Sequence, residues 1–182
     1  MKISMKRFIK LAQIALVVVI FLAISCQEKG SEVITKEEAK AIFDSFLKFR
    51  NEGDLASADA VMHPECVILY PNLPEKLVGL EAYKEYDKNM RIAFPDFKLT
   101  IDDFFVKDDK IFSYWSITAT NTGTLKGLMG ELPPTNKKIH ISGFAISHIV
   151  DGKIKEDVAY FDMLGLLQQL GFQIMPPKSE SQ

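Results

Sequence analysis

The chain has 182 residues, with 22 Lys+Arg against 24 Asp+Glu and a formal charge of −2. Residues 1–25 hold four basic residues and no acid, so the remaining 157 residues carry 18 basic against 24 acidic groups. A mildly acidic body of that size excludes a phosphate-tracking nucleic-acid binder and is sufficient for one domain with its own core, without disulfide staples.

The chain opens on a basic stretch, Lys2 to Lys10, followed by Leu11 to Ser25, in which 13 of 15 residues are apolar. That run is short for the roughly 20 residues a membrane-crossing helix needs, and it matches the apolar region of a secretory signal. The stretch Leu22-Ala23-Ile24-Ser25-Cys26 resembles a bacterial lipoprotein lipobox, with Leu22 one place earlier than usual. The resemblance implies removal of residues 1–25 as a lipoprotein signal peptide, lipidation of Cys26, and an exported protein held on a membrane, on the periplasmic or surface side of the outer membrane. Residues 26–34 read as a polar tether, residues 35–172 as one α+β domain, and residues 173–182 as a frayed tail.

Within the domain, Thr35 and Glu38 form a capping box, and Ala39, Ile42, Phe43, Phe46 and Phe49 recur on one helical face that Gly53 ends. Asp54 caps a second short helix that His63-Pro64 ends. Val67 to Tyr70 reads as a short strand, and Leu80 to Ala93 as a third helix broken by Phe94-Pro95. From Phe97 the pattern alternates with period two, giving strands over 97–107, 111–122, 137–150 and 154–162. Asp108-Asp109 and Asp151-Gly152 are hairpin turns, the second with a type I′ signature. Residues 123–136 read as a loop, and Met163 to Leu170 as a closing helix. Three helices before four long antiparallel strands is an α+β order in which the helices fill the concave face of a curled sheet.

Several stretches in series resemble the SnoaL-like polyketide cyclase (ester cyclase) family of the nuclear transport factor 2-like superfamily. They are Gly79-Leu80-Glu81-Ala82, Phe94-Pro95-Asp96-Phe97, Thr120-Asn121-Thr122-Gly123, Pro133-Pro134-Thr135, Asp151-Gly152-Lys153-Ile154 and the ending Gln168-Gln169-Leu170-Gly171. The resemblance implies a cone-shaped curled antiparallel sheet that, with the N-terminal helices, encloses a deep apolar pocket. It also implies cofactor-free ring closure by intramolecular aldol condensation, and a homo-oligomer packed through the sheet. The family's acid/base residue, an Asp late in the last strand, falls on Ala159. Its neighbouring His and Gln fall on Ala145 and Gly143, an Asn on the first strand falls on Ile68, and a further His falls on Asn121. Alanine, glycine and isoleucine side chains neither move protons nor form hydrogen bonds.

The remaining candidates are few. Asp162 is read either as the N-cap of the closing helix or as a pocket carboxylate and catalytic base. Tyr70, Tyr86, Trp115, Asn121, Phe144, His148 and Tyr160 are candidate pocket residues. A simple two-residue hairpin pairs His148 with Lys155 and puts Asp162 on the opposite face, so the two form no dyad without a bulge. The three His are not at metal-ligand spacing, and Cys66 reads as a buried inert thiol. Two readings stand: a SnoaL-like enzyme acting on a small hydrophobic carbonyl compound, and a non-catalytic membrane-anchored domain that binds a hydrophobic ligand or a partner.

Overall fold

The computed structural model describes residues 33–127 and 130–173. The signal, Cys26, nearly all of the tether and all but the start of the tail lie outside the described residues. Helix α1, Lys36–Leu47, begins at the expected capping box. Thr35 Oγ1 accepts from the Glu38 N–H, and Glu38 Oε2 accepts from the Thr35 N–H. The helix widens at its end into a π-turn, Lys48–Glu52, which turns Phe49 and Arg50 inward and closes at Gly53 with φ 74°. Helix α2, Leu55–Val61, is capped by Asp54 and runs directly into strand β1, Met62–Leu69. The sequence pattern placed only the second half of that strand. A register break between Met62 and Val67 absorbs Pro64, which has no N–H to donate to a ladder.

The short strand β2, Leu77–Val78, leads into α3, Leu80–Ala93. Strands β3 (Lys98–Lys107) and β4 (Lys110–Thr120) form the first long hairpin. Two short strands, β5 (Leu125–Gly127) and β6 (Gly130–Leu132), pair within the stretch expected as plain loop. Strands β7 (Lys138–Val150) and β8 (Lys153–Phe161) follow, then helix α4, Met163–Gln169. Asp151 and Gly152 both have positive φ, as a type I′ turn requires.

The main sheet has the order β2-β1-β8-β7-β4-β3 and is antiparallel except where β1 runs parallel to β8. Its concave face is apolar and packs on α1 and α3, burying Phe43, Phe46, Ile111, Ile139 and Ile154. At roughly 25 cal/mol per Å² of apolar surface, this shared face is the main source of stability. The architecture is the curled-sheet α+β fold expected from the order of elements.

One irregularity decides which residues face inward. Ile149 pairs with Ile154, but His148 pairs with Glu156, so Lys155 is an extra residue on β8. Side chains alternate along a strand, so one inserted residue moves every later side chain to the other face. The inward set after the bulge is therefore Asp157, Ala159 and Phe161 rather than Glu156, Val158, Tyr160 and Asp162.

Candidate functional site

The helices and the sheet enclose a cavity of about 120 Å³. Phe43 and Phe46 of α1, Tyr86 and Met90 of α3, and Trp115 and Ile117 of β4 form its walls. Leu125 and Leu132 of the β5–β6 hairpin and Leu166 and Leu170 around α4 complete the lining. Gln169 fixes α4 to β7 by accepting from the His140 N–H at 2.7 Å and donating to the His140 carbonyl at 3.0 Å.

Polar groups cluster on one part of this apolar wall. Asp157, 5 % exposed, accepts from Tyr70 Oη at 2.6 Å and from Ser147 Oγ at 2.6 Å. The Tyr70 and Tyr83 hydroxyls lie 3.1 Å apart. Tyr70 gives its proton to Asp157, so Tyr83 donates to Tyr70 and the chain runs Tyr83 to Tyr70 to Asp157. Burial pushes the Asp157 carboxyl above its ordinary value, and the bonds from Ser147 and Tyr70 and the Arg50 charge only partly offset this. Burial also raises the hydroxyls of Tyr70, Tyr83 and Tyr86, which stay neutral donors.

The second part of the cluster is cationic. The π-turn brings Arg50 against α3, where Nη1 bonds Asp87 Oδ1 at 2.5 Å. Arg91, one helical turn beyond Asp87, bonds the other oxygen at 2.7 Å and also donates to the Phe49 and Arg50 carbonyls. The Arg50 guanidinium lies over the rings of Phe97, Tyr83 and Tyr86 at 5.0, 5.7 and 5.9 Å. Burial works against its charge, but the surrounding groups, Asp87 among them, together outweigh it and raise its pKa. Asn72 Nδ2 donates to Tyr86 Oη at 3.1 Å, while Asn72 Oδ1 is buried without a partner among the described residues.

Tyr70, Tyr86 and Trp115 line the cavity as expected. Four of the other expected pocket residues do not. Phe144 and Tyr160 are 66 % and 71 % exposed on the convex face, because the inward parity on β7 belongs to Ile139, Ile141, Ala145 and Ser147 and the bulge reverses β8. His148 also points outward, its Nε2 bonded to Asp109 on the β3–β4 turn at 3.0 Å. Asn121 is buried but structural. It donates to the Ala93 and Gly123 carbonyls and accepts from the Thr135 N–H and hydroxyl, tying the end of α3 to the Pro133-Pro134-Thr135 loop.

Asp162, expected as either cap or base, caps α4. Its Oδ1 accepts from the Gly165 N–H at 2.8 Å, and the residue is exposed and outside the cavity lining. The bulge at Lys155 passes the acidic position on the inner face of β8 to Asp157 instead. Sequence reading missed Asp157, Arg50, Ser147 and Asn72. The available signal for Asp157 was an acid directly before Val158-Ala159 in a strand; for Arg50 it was a cation directly after the apolar Phe49.

Ala145 and Ala159 line the cavity and pair across β7 and β8, and Ile68 pairs with Asp157 across β1 and β8. Gly143 pairs with Trp115, and a Cβ there would lie 2.5 Å from Trp115 Cζ2. The indole thus lies over the space a side chain at 143 would need. Among the described residues, no group of three or more His, Cys, Asp and Glu is placed to hold a metal ion.

The SnoaL-like polyketide cyclase profile matches residues 40–170. The chain belongs to that family. Of solved structures, TsrD from Streptomyces laurentii shares 27 % identity with a TM-score of 0.66, covering 76 % of this chain and 98 % of its own. A proposed polyketide cyclase from Acidithiobacillus ferrooxidans shares 29 % identity with a TM-score of 0.63, covering 75 % and 96 %. An LEH-like epoxide hydrolase from M. tuberculosis, at 16 % identity and TM-score 0.56 over 74 % and 90 %, shares the fold alone. No curated protein matches the sequence.

Proposed function

We propose that the cavity takes a small hydrophobic carbonyl compound of polyketide type and that Asp157 is its acid/base residue. The observation that carries this reading is a buried carboxylate on the wall of an apolar cavity, held by Tyr70 and Ser147 with its pKa raised. Burial that raises a carboxylate's pKa makes it a stronger base, which suits removal of a proton next to a carbonyl. Asp157 takes that proton, and the enolate oxygen is met by Arg50 and Tyr86 N–H and O–H groups. The enolate carbon then attacks a second carbonyl of the same molecule, and protonated Asp157 returns the proton to the new alkoxide. The net reaction is a ring closure that consumes no cofactor. Asp157 stands one inward position before Ala159, where the family resemblance places the acid, so the chemistry is supported from a neighbouring point on the same strand face.

A second reading rests on a separate observation. Ala145, Ala159, Gly143 and Ile68 are the positions where the family resemblance expects polar groups, which favours a domain that binds such a compound without turning it over. Turnover of an ester and enol panel by wild type and Asp157→Asn separates the two. A loss of about 10²–10⁴-fold supports the base. Equal rates refute Asp157 as the base, and no turnover by wild type with binding intact supports the binder.

The same proposal places the domain on a membrane through a lipidated Cys26, exported to the outer membrane. No helix among the described residues is long and apolar enough to cross a membrane. A Cys26→Ser protein that stays in the membrane fraction would refute the anchor. Phe105, Tyr114, Phe144, Ile146 and Tyr160 are exposed on the convex side of the sheet, which supports packing against a second copy there. Sedimentation of Phe144→Glu and wild type should show a smaller species for the variant; identical wild-type and variant masses would count against that interface.

A further inference from the structure

We infer that the ligand of this cavity carries an acidic oxygen (a carboxylate, or an acidic enol or phenol) that seats on Arg50 beside Tyr86 and Asn72. The inference rests on reading the cavity as a small-molecule site, and it adds the charge of the ligand's polar end.

Two guanidinium groups, Arg50 and Arg91, share one carboxylate, Asp87. The other buried acid, Asp157, is bonded to Tyr70 and Ser147 rather than to Arg50. Arg91 is partly exposed and satisfied by two backbone carbonyls besides Asp87. Arg50 lines the cavity, is 5 % exposed, and makes a single hydrogen bond, to Asp87. Its other N–H groups meet aromatic rings and the cavity, and among the described residues none of the oxygens lining it, on Asp157, Ser147, Ser113 or Asn72, accepts a hydrogen bond from them.

The neighbouring polar groups are incomplete in the same place. Tyr86 Oη accepts from Asn72, and its own proton has no acceptor among the described residues. Asn72 Oδ1 is buried and has no partner among the described residues. Turning the amide over lets Asn72 accept from Tyr86 but leaves its NH₂ without an acceptor, so one Asn72 atom lacks a partner in either setting. Buried polar groups left in this way carry a desolvation cost that a bound oxygen removes. A neutral apolar ligand would leave the remaining Arg50 N–H groups and the Tyr86 hydroxyl unsatisfied. An anionic oxygen accepts from both, and charge-assisted bonds of this kind are the strong ones. The rest of the cavity is mostly apolar, and at about 120 Å³ it is of the size of one that holds benzene, roughly 150 Å³, which limits the ligand to about one ring. A single ring bearing the acidic group fits the description.

The probes are benzoate and methyl benzoate at neutral pH, with the full chain. Trp115 is the one tryptophan in the sequence and lines the cavity, so its fluorescence reports occupancy, and calorimetry gives the affinity. Benzoate is expected to bind at least about tenfold more tightly than its methyl ester. Tyr86→Phe keeps the ring and should reduce that preference. Arg50→Met with Asp87→Asn, which removes both buried charges together, should abolish it. Equal affinity of the two probes for wild type overturns the inference, as does a preference that survives both variants. Asp157→Asn should keep the preference whatever it does to turnover, so failure of the acid/base reading and failure of the acidic-ligand inference register in different measurements.

Discussion

Arg50→Met should be the most informative single change in this domain. Methionine keeps the apolar stem of the side chain and removes the guanidinium. Both partners of the broken pair are buried, with side-chain exposures of 6 % for Arg50 and 5 % for Asp87. Removing one partner of such a pair costs about 3–5 kcal/mol, because the other charge is left without compensation. Asp87 keeps Arg91 at 2.7 Å, which places the expected loss at the lower end, about 3 kcal/mol. For a domain of this size each kcal/mol moves the melting temperature by about 2–4 °C, so the drop should be about 6–12 °C. Urea unfolding followed by Trp115 fluorescence and circular dichroism measures it. Adding Asp87→Asn removes the stranded carboxylate, and the double variant should regain at least half of the loss. A single variant that loses less than about 1 kcal/mol, or a double variant no more stable than the single, would refute the account of Arg50 and Asp87 as a coupled buried pair.

The Asp157 carboxyl has a native pKa above its ordinary 3.8. Its contribution to stability is therefore fully present below the unfolded value and is lost as pH rises through the native value. Wild type should lose stability relative to Asp157→Asn as pH rises from about 4 towards neutrality, and parallel urea midpoints across that range would contradict the burial of this acid. In Gly143→Ala the new Cβ would lie 2.3 Å from the Tyr160 carbonyl and 2.5 Å from Trp115 Cζ2. That overpacking should cost about 1–3 kcal/mol and shift the tryptophan emission; a variant with wild-type stability and spectrum would show that the indole lies elsewhere. Asn121→Ala removes a buried side chain that makes four hydrogen bonds, and it should destabilise the fold by about 1–3 kcal/mol while leaving benzoate affinity near wild type. Normal stability with lost affinity would return Asn121 to the binding site.

Much of this domain is determined locally, and that part was legible in the sequence. The Thr35–Glu38 capping box, the Asp54 cap, the Asp151-Gly152 turn and the period-two strands all form as read, because each depends on a few neighbouring residues. The split between a basic, apolar first 25 residues and an acidic remainder is likewise a property of composition alone. The site was less legible. Parity counted from the turn at Asp151 selects Tyr160 and Asp162 as inward residues, and it does so correctly for an unbroken ladder. The extra residue at Lys155 reverses that parity, and the bulge forms where β8 must pair with β7 on one side and β1 on the other. Nothing in the hydrophobic pattern marks a one-residue insertion of this kind.

Arg50 illustrates the same division. Its helical face is visible in the apolar spacing, but its burial depends on a π-turn and on Asp87, 37 positions later on another helix. A lone Arg or Asp in sequence reads as surface, since burying either alone is costly. Only the packing of α1 against α3 brings the two charges together and makes that burial tolerable. Sequence alone thus determined most of the long elements, their order and the uneven placement of charge. Tertiary structure decided which acid and which cation face the cavity, because a strand's register and a charge's partner are set by residues far away in the chain.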